Sequence, residues 1–171
     1  MKAWHALGAA FVAAAAVATV VVATGVASGG AAPTWKMTLI EASNGSLSYV
    51  DNEPKSTRSL DSQQGPQVSQ GDSFAIANEL LTKARKHAGW LHAVCTATFA
   101  ADTFDGARFT CSGQFDLRGG TLALSALIDT GRSVSHIAIV GGTGAYEGAV
   151  GAIDSVNRDD GSSVDTVHFH K

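Results

Sequence analysis

Basic clusters are missing from this chain. Twelve Lys and Arg face fifteen Asp and Glu, a net charge of −3, and no basic run or aromatic-interleaved basic patch occurs. The electrostatic footprint of a nucleic-acid binder is absent, so nucleic acid is not an expected partner. Proline is scarce, three residues against nineteen glycines, a ratio that reads as many tight turns rather than a low-complexity tail. No serine stands in a nucleophile elbow, and no triad order is present. Histidine offers little to a metal. His168 and His170 lie two apart and share one face of a strand, but a third ligand is not evident among His92, His136 and Asp165, and no metal is expected. Cysteine is limited to Cys95 and Cys111; neither lies near the N-terminus, where a lipoprotein anchor would need one.

The long uncharged stretch Ala6 to Thr24, rich in Ala and Val, follows Met1-Lys2 and precedes the small residues Val26 to Ala32. A positive start, an apolar centre and a small-residue tail are the parts of a secretory signal peptide. We therefore expect residues 1–32 to be removed, residues 33–171 to form the mature domain, and the product to be secreted with no stable membrane span after processing. Loss of Lys2 leaves a mature charge of −4. At 45% hydrophobic content the remainder can bury one core.

In an exported chain two cysteines are expected to be oxidised. Cys95 and Cys111 have their midpoint at Thr103, within Ala100-Ala101-Asp102-Thr103-Phe104-Asp105-Gly106, a run of turn residues. A hairpin centred there sets Cys95 opposite Cys111, Ala97 opposite Phe109, Ala93 opposite Gly113 and Leu91 opposite Phe115, leaving Thr96 with Thr110 and Thr98 with Arg108 on the other face. One face is apolar and the other polar, as a half-buried antiparallel sheet demands.

Other strands follow the same pattern. Trp35 to Glu41 is a first strand, Asn44-Gly45 a turn, and Ser48 to Asp51 a short extended piece. Residues 52–71 are polar and hold Pro54 and Pro66, a long loop of the kind that often serves as a lid. The run Gly71 to Leu81 fits either a capped helix reaching Gly89 or a strand, and its periodicity does not decide between them. Leu122 to Ile128, Val134 to Val140, Gly151 to Val156 and Val164 to His170 are further strands separated by Gly- and Asp-rich turns, a spacing that argues for an antiparallel sandwich or barrel. Gly142-Thr143-Gly144 with Gly148 has the look of a loosened dinucleotide fingerprint, but the helix, the βαβ unit and the later acidic residue are missing. The motif reads as a tight turn between strands.

Taken in order, Gly71-Asp72 with Phe74 and Asn78-Glu79-Leu80, Gly89 with Cys95, and Ile137-Ala138-Ile139-Val140-Gly141-Gly142-Thr143-Gly144-Ala145-Tyr146-Glu147-Gly148-Ala149-Val150-Gly151 resemble the allene oxide cyclase barrel family, whose neighbours are the plant dirigent proteins. The resemblance runs from Met37 to Phe169. It implies an all-β, eight-stranded antiparallel barrel with an apolar cavity, with Gly71 to Leu80 as a strand and a short turn around Thr82 to His87. It further implies a cofactor-independent isomerase or cyclase that folds a small apolar substrate so that its reacting atoms meet. On this resemblance Glu41 is the candidate base or charge stabiliser and Asn78 orients a water or oxygen. Cys95 matches the family's cavity cysteine, and Ser43 stands where the family carries an asparagine. Phe74, Phe99, Phe109 and Tyr146 are the candidate ligand contacts. Family members are often trimers, which sets a homo-oligomer as an expectation. A non-catalytic carrier or sensor of a hydrophobic ligand, or a cell-envelope interaction domain, is the alternative use of such a barrel.

Overall fold

A computed structural model describes residues 34–171 other than positions 60 and 64. The expected signal peptide, residues 1–32, lies outside the described residues. Among the described residues nine strands form one antiparallel sheet: β1 (Trp35–Glu41), β2 (Ser46–Val50), β3 (Ser73–Leu81), β4 (His87–Phe99), β5 (Arg108–Leu117), β6 (Gly120–Asp129), β7 (Val134–Gly142), β8 (Val150–Asn157) and β9 (Ser163–His170). The order β1-β9-β8-β7-β6-β5-β4-β3 closes on itself through a β1–β3 pairing, so eight strands make a ring, and β2 continues along β3 beyond the point where β1 leaves it. No helix among the described residues is long and apolar enough to cross a membrane.

Alternation explains the ring. On β9, Ser163, Asp165, Val167 and Phe169 are buried while the residues between them are not, the period of two expected for a strand with one covered face. The larger core, centred on Leu80, Phe115, Leu122, Ile139, Ile153 and Val167, fills one end of the barrel. A smaller cluster holds Val68, Cys95, Ala97, Ala107, Phe109 and Cys111, with Phe74 and Phe104 packed on it.

The ambiguous run Gly71 to Leu81 is a strand. Nine residues pair with β4, and the helical pattern yields because both edges of this segment find strand partners. A tight turn at 82–86, with Arg85 at φ 57°, joins it to β4. The cysteine hairpin has the expected register: Cys95 faces Cys111 and the two are bridged, with Ala97 opposite Phe109, Ala93 opposite Gly113 and Leu91 opposite Phe115. Its tip departs from the expectation. A bulge between Ala97 and Phe99 sets Phe99, rather than Thr98, against Arg108.

The glycine motif is a strand, a turn and a strand. β7 ends at Gly142, a single 3₁₀ turn spans Gly144–Tyr146, and β8 starts at Val150. Gly144 sits at φ +59°, and a Cβ there would fall 2.3 Å from the Gly119 carbonyl oxygen, so glycine is required both for the conformation and for the close approach. The turn closes the packed end of the barrel, where the Tyr146 ring meets Phe169 edge-on at 6.0 Å.

The ring is thinly paired at two seams. β1 meets β9 over seven residue pairs but β3 over only two, Ile40–Leu81 and Glu41–Leu80. Pairing between β6 and β7 runs from Leu122–Gly142 to Ser125–Ala138, and residues 126–129 of β6 and 134–137 of β7, on either side of the 130–133 turn, are not in register with each other.

Candidate functional site

Inside the ring lies a cavity of about 200 Å³. One wall, from β3 to β6, is apolar and includes Phe74, Ile76, Leu91, Ala93, Leu124, Ala126 and the Cys95–Cys111 disulfide. The facing wall, from β1, β7 and β8, brings Glu41, Ser135, Ser155 and Asn157 to the same space. Ala126 and Ile128 on one side, and Ser135 and Ile137 on the other, belong to the stretches of β6 and β7 that lie outside their mutual register.

Glu41 is the acidic group of this cavity, and its position is set by both neighbours of β1. Asn78 Nδ2 on β3 donates to Glu41 Oε1. Ser163 Oγ on β9 donates to Glu41 Oε2 at 3.2 Å. The chain then kinks through residues 42–45, tied by the Ala42 amide to the Glu79 carbonyl at 2.9 Å. Gly45 rides so close over Asn78 that an added Cβ would fall 1.6 Å from Asn78 Oδ1. Glycine at this point is what lets the kink pass above the amide that holds Glu41.

Behind Glu41 stands a second carboxyl. Asp165, on β9, is 1% exposed and follows Ser163 on the inward face of that strand. Desolvation by burial pushes its pKa up to about 6, and the charge of Glu41 adds to the rise; the hydroxyls of Ser155 and Ser163 oppose it. Ser163 Oγ donates to Oδ1 at 3.4 Å, and among the described residues Oδ2 has no donor at full hydrogen-bond geometry. A folded-state pKa above the ordinary 3.8 means that the unfolded chain loses this proton first as pH rises. The stability associated with neutral Asp165 is therefore complete below about pH 4 and is lost as pH climbs through about 6. The parent should lose on the order of 2 kcal/mol from this group between about pH 4 and 7. Asp165→Asn, which keeps an acceptor for Ser163, should not show that loss. Urea denaturation of both proteins across this range checks it, and parallel stability curves would remove Asp165 as the titrating group.

The residues expected from the sequence divide by location. Glu41 and Phe74 line the cavity. Asn78 is not on the lining, and its amide nitrogen holds Glu41 rather than facing the space. Phe109 is fully buried and stands behind Phe74, the two rings meeting edge-on at 4.9 Å. Phe99 lies outside the barrel, 55% exposed, under the Arg108 guanidinium at 5.3 Å. The bulge before it turns its side chain to the outer face. Tyr146 packs in the closed end, away from the lining. Among the described residues no group of three or more His, Cys, Asp and Glu side chains is arranged to hold a metal.

Sequence reasoning does not place Ser163 and Asp165 beside Glu41. A signal for their burial is present, since Ser163, Asp165, Val167 and Phe169 alternate on one face of the last strand, and a carboxyl on the face of a buried valine and phenylalanine must itself be inside.

No protein-family model matches this chain, and no curated protein matches it in sequence. Solved structures do. A pyocyanin demethylase superposes with a TM-score of 0.56 at 18% identity, covering 80% of this chain and 99% of its own. AbnU, an exo-specific intermolecular Diels-Alderase, gives 0.59 at 14%, with 83% and 100% covered. The pterocarpan synthase dirigent protein PsPTS1 gives 0.57 at 17%, with 82% and 96% covered. At these identities the likeness is one of fold. It sets the chain among closed antiparallel barrels that include dirigent proteins and cycloaddition enzymes.

Proposed function

We propose that this barrel binds a small, largely apolar molecule in its cavity and promotes a cofactor-independent rearrangement or ring closure, with Glu41 as base or as stabiliser of developing positive charge. One observation carries the reading: the acidic side chain of an otherwise apolar and hydroxyl-lined cavity is held from both sides, by Asn78 and by Ser163. A fixed, partly desolvated carboxylate is a competent proton acceptor, and the cavity supplies proximity for a substrate folded within it. The allene oxide cyclase resemblance supports the same assignment for Glu41, and the barrels of similar fold include a Diels-Alderase and a dirigent protein. Asn78 and Ser163 are positioning residues in this reading. The Cys95–Cys111 bridge supports an oxidising location, in keeping with the expected signal peptide.

Ring opening of 5-nitrobenzisoxazole tests the base directly, because that reaction is a single proton abstraction with a coloured phenolate product and is accelerated by a carboxylate in an apolar site. The parent should exceed the buffer rate, and Glu41→Gln, folded by thermal melt, should lose about a hundredfold. Equal rates for the two proteins would withdraw Glu41 as a base. Saturable binding of the probe without turnover would instead mark the barrel as a carrier.

A further inference from the structure

We infer that the cavity takes a compact apolar molecule bearing a positive charge, such as a protonated amine set against Glu41, and turns away anionic ligands. The inference rests on the cavity reading above and adds the charge class of the occupant.

Size comes first. An apolar cavity of about 150 Å³ holds a benzene ring, and sites for drug-sized ligands start near 300 Å³. At about 200 Å³ the space suits one substituted ring or two small fused rings.

Charge comes second. Among the described residues that line the cavity Glu41 is the one ionisable side chain, and no Lys, Arg or His is among them. Both of its oxygens accept hydrogen bonds, but from neutral donors, the Asn78 amide and the Ser163 hydroxyl. Asp165 stands behind it, and among the described residues its Oδ2 has no donor at full hydrogen-bond geometry. The basic side chains of the β6–β7 hairpin and the start of β5 are committed elsewhere. Arg108 and Arg132 approach Asp129 at 3.5 and 3.3 Å, and His136 approaches Asp154 at 2.7 Å. Glu41 on the cavity wall, with Asp165 behind it, therefore lacks a cationic counterpart among the described lining residues.

A ligand cation supplies what that wall lacks, because a carboxylate removed from water is stabilised most by a charge-assisted hydrogen bond. An incoming carboxylate would be a further like charge in a place of low dielectric, desolvated and facing Glu41. The apolar wall opposite, from Leu91 to Ala126, receives the ring.

Three probes of matched shape test this: 2-phenylethylamine, 2-phenylethanol and 3-phenylpropionate, titrated calorimetrically into the purified protein at mildly alkaline pH. The amine should bind about tenfold or more tightly than the alcohol, and the acid should not bind measurably. In Glu41→Gln the amine and the alcohol should become equal. Ala126→Trp, which fills the cavity, should abolish binding of all three.

Binding of the acid as tight as that of the alcohol would overturn the inference. So would an amine preference that survives in Glu41→Gln, or in Ala126→Trp, where it would report attraction to the acidic surface. If the alcohol binds without an amine preference, only the charge assignment fails. If none of the probes binds, the cavity reading fails with it.

Discussion

Phe109→Ala is expected to lose about 4 kcal/mol of unfolding free energy, the cost typical of emptying a buried aromatic site. Phe109 is fully buried and contacts two other rings, Phe74 at 4.9 Å and Phe104 at 5.5 Å. It also faces Ala97 across the hairpin, within the cluster that holds the disulfide. Phe74 and Ala97 are held by strand pairing and Phe104 by its 3₁₀ turn, so the surroundings have little freedom to fill the space. The same geometry bears on function. Phe74 lines the cavity, and Phe109 is what holds its ring upright. Phe109→Leu should retain most of the stability, and the two variants compared in urea separate volume from aromaticity. A loss below about 1 kcal/mol for the alanine variant would show that the cluster relaxes and that Phe74 has no rigid support.

Asp72→Ala is expected to lose about 3 kcal/mol, by removal of one fully buried acceptor from three donors. Tyr49 Oη donates to Oδ2 at 2.8 Å, the Asn52 amide to Oδ1 at 2.7 Å, and the Ser69 amide to Oδ2 at 2.8 Å. These bonds tie β2 and both ends of the 52–71 loop to the start of β3. Burial, then the hydrogen bond to Asp72 and its charge, hold the Tyr49 phenol above its ordinary pKa, the response of a hydroxyl that donates to an anion. The polar loop is thus clamped at its base beside Phe74 and Phe104. Limited proteolysis should cut residues 52–71 in Asp72→Ala under conditions that spare the parent, and equal resistance would show that the loop is held elsewhere.

Much of this architecture can be read from residue order. The alternation of β4 and β5 sets the cysteines opposite each other, and Trp35 to Glu41 alone marks the first strand. What escapes such reading are places where alternation is broken or where its meaning depends on closure. One inserted residue near Thr98 reverses the side on which Phe99 emerges, and nothing in the local pattern marks a bulge. Tyr146 reads as an aromatic beside a glycine turn, but which end of a barrel that turn closes depends on the whole ring. The task of Asn78 depends on Glu41, 37 positions away, and no local pattern joins the two. The Asp165 carboxyl shows the converse: its strand pattern states that it is inside, while the company it keeps there depends on β1 and β8 arriving beside β9.

The stretch of β6 and β7 without mutual pairing bears on the protein's neighbours as well as on its ligand. Where two strands separate, each presents unpaired N–H and C=O groups, and such an edge is a template on which a strand from another chain can grow. Around residues 126–137 that template is surrounded by strongly hydrated polar side chains: Arg108, Asp129 and Arg132 bridged in a row, with His136 and Asp154 beside them. An extended polypeptide laid along this gap would have to strip water from all five. An unpaired stretch of sheet is in this way kept closed to a foreign β-strand, and the ring can leave pairs unmade without being adhesive.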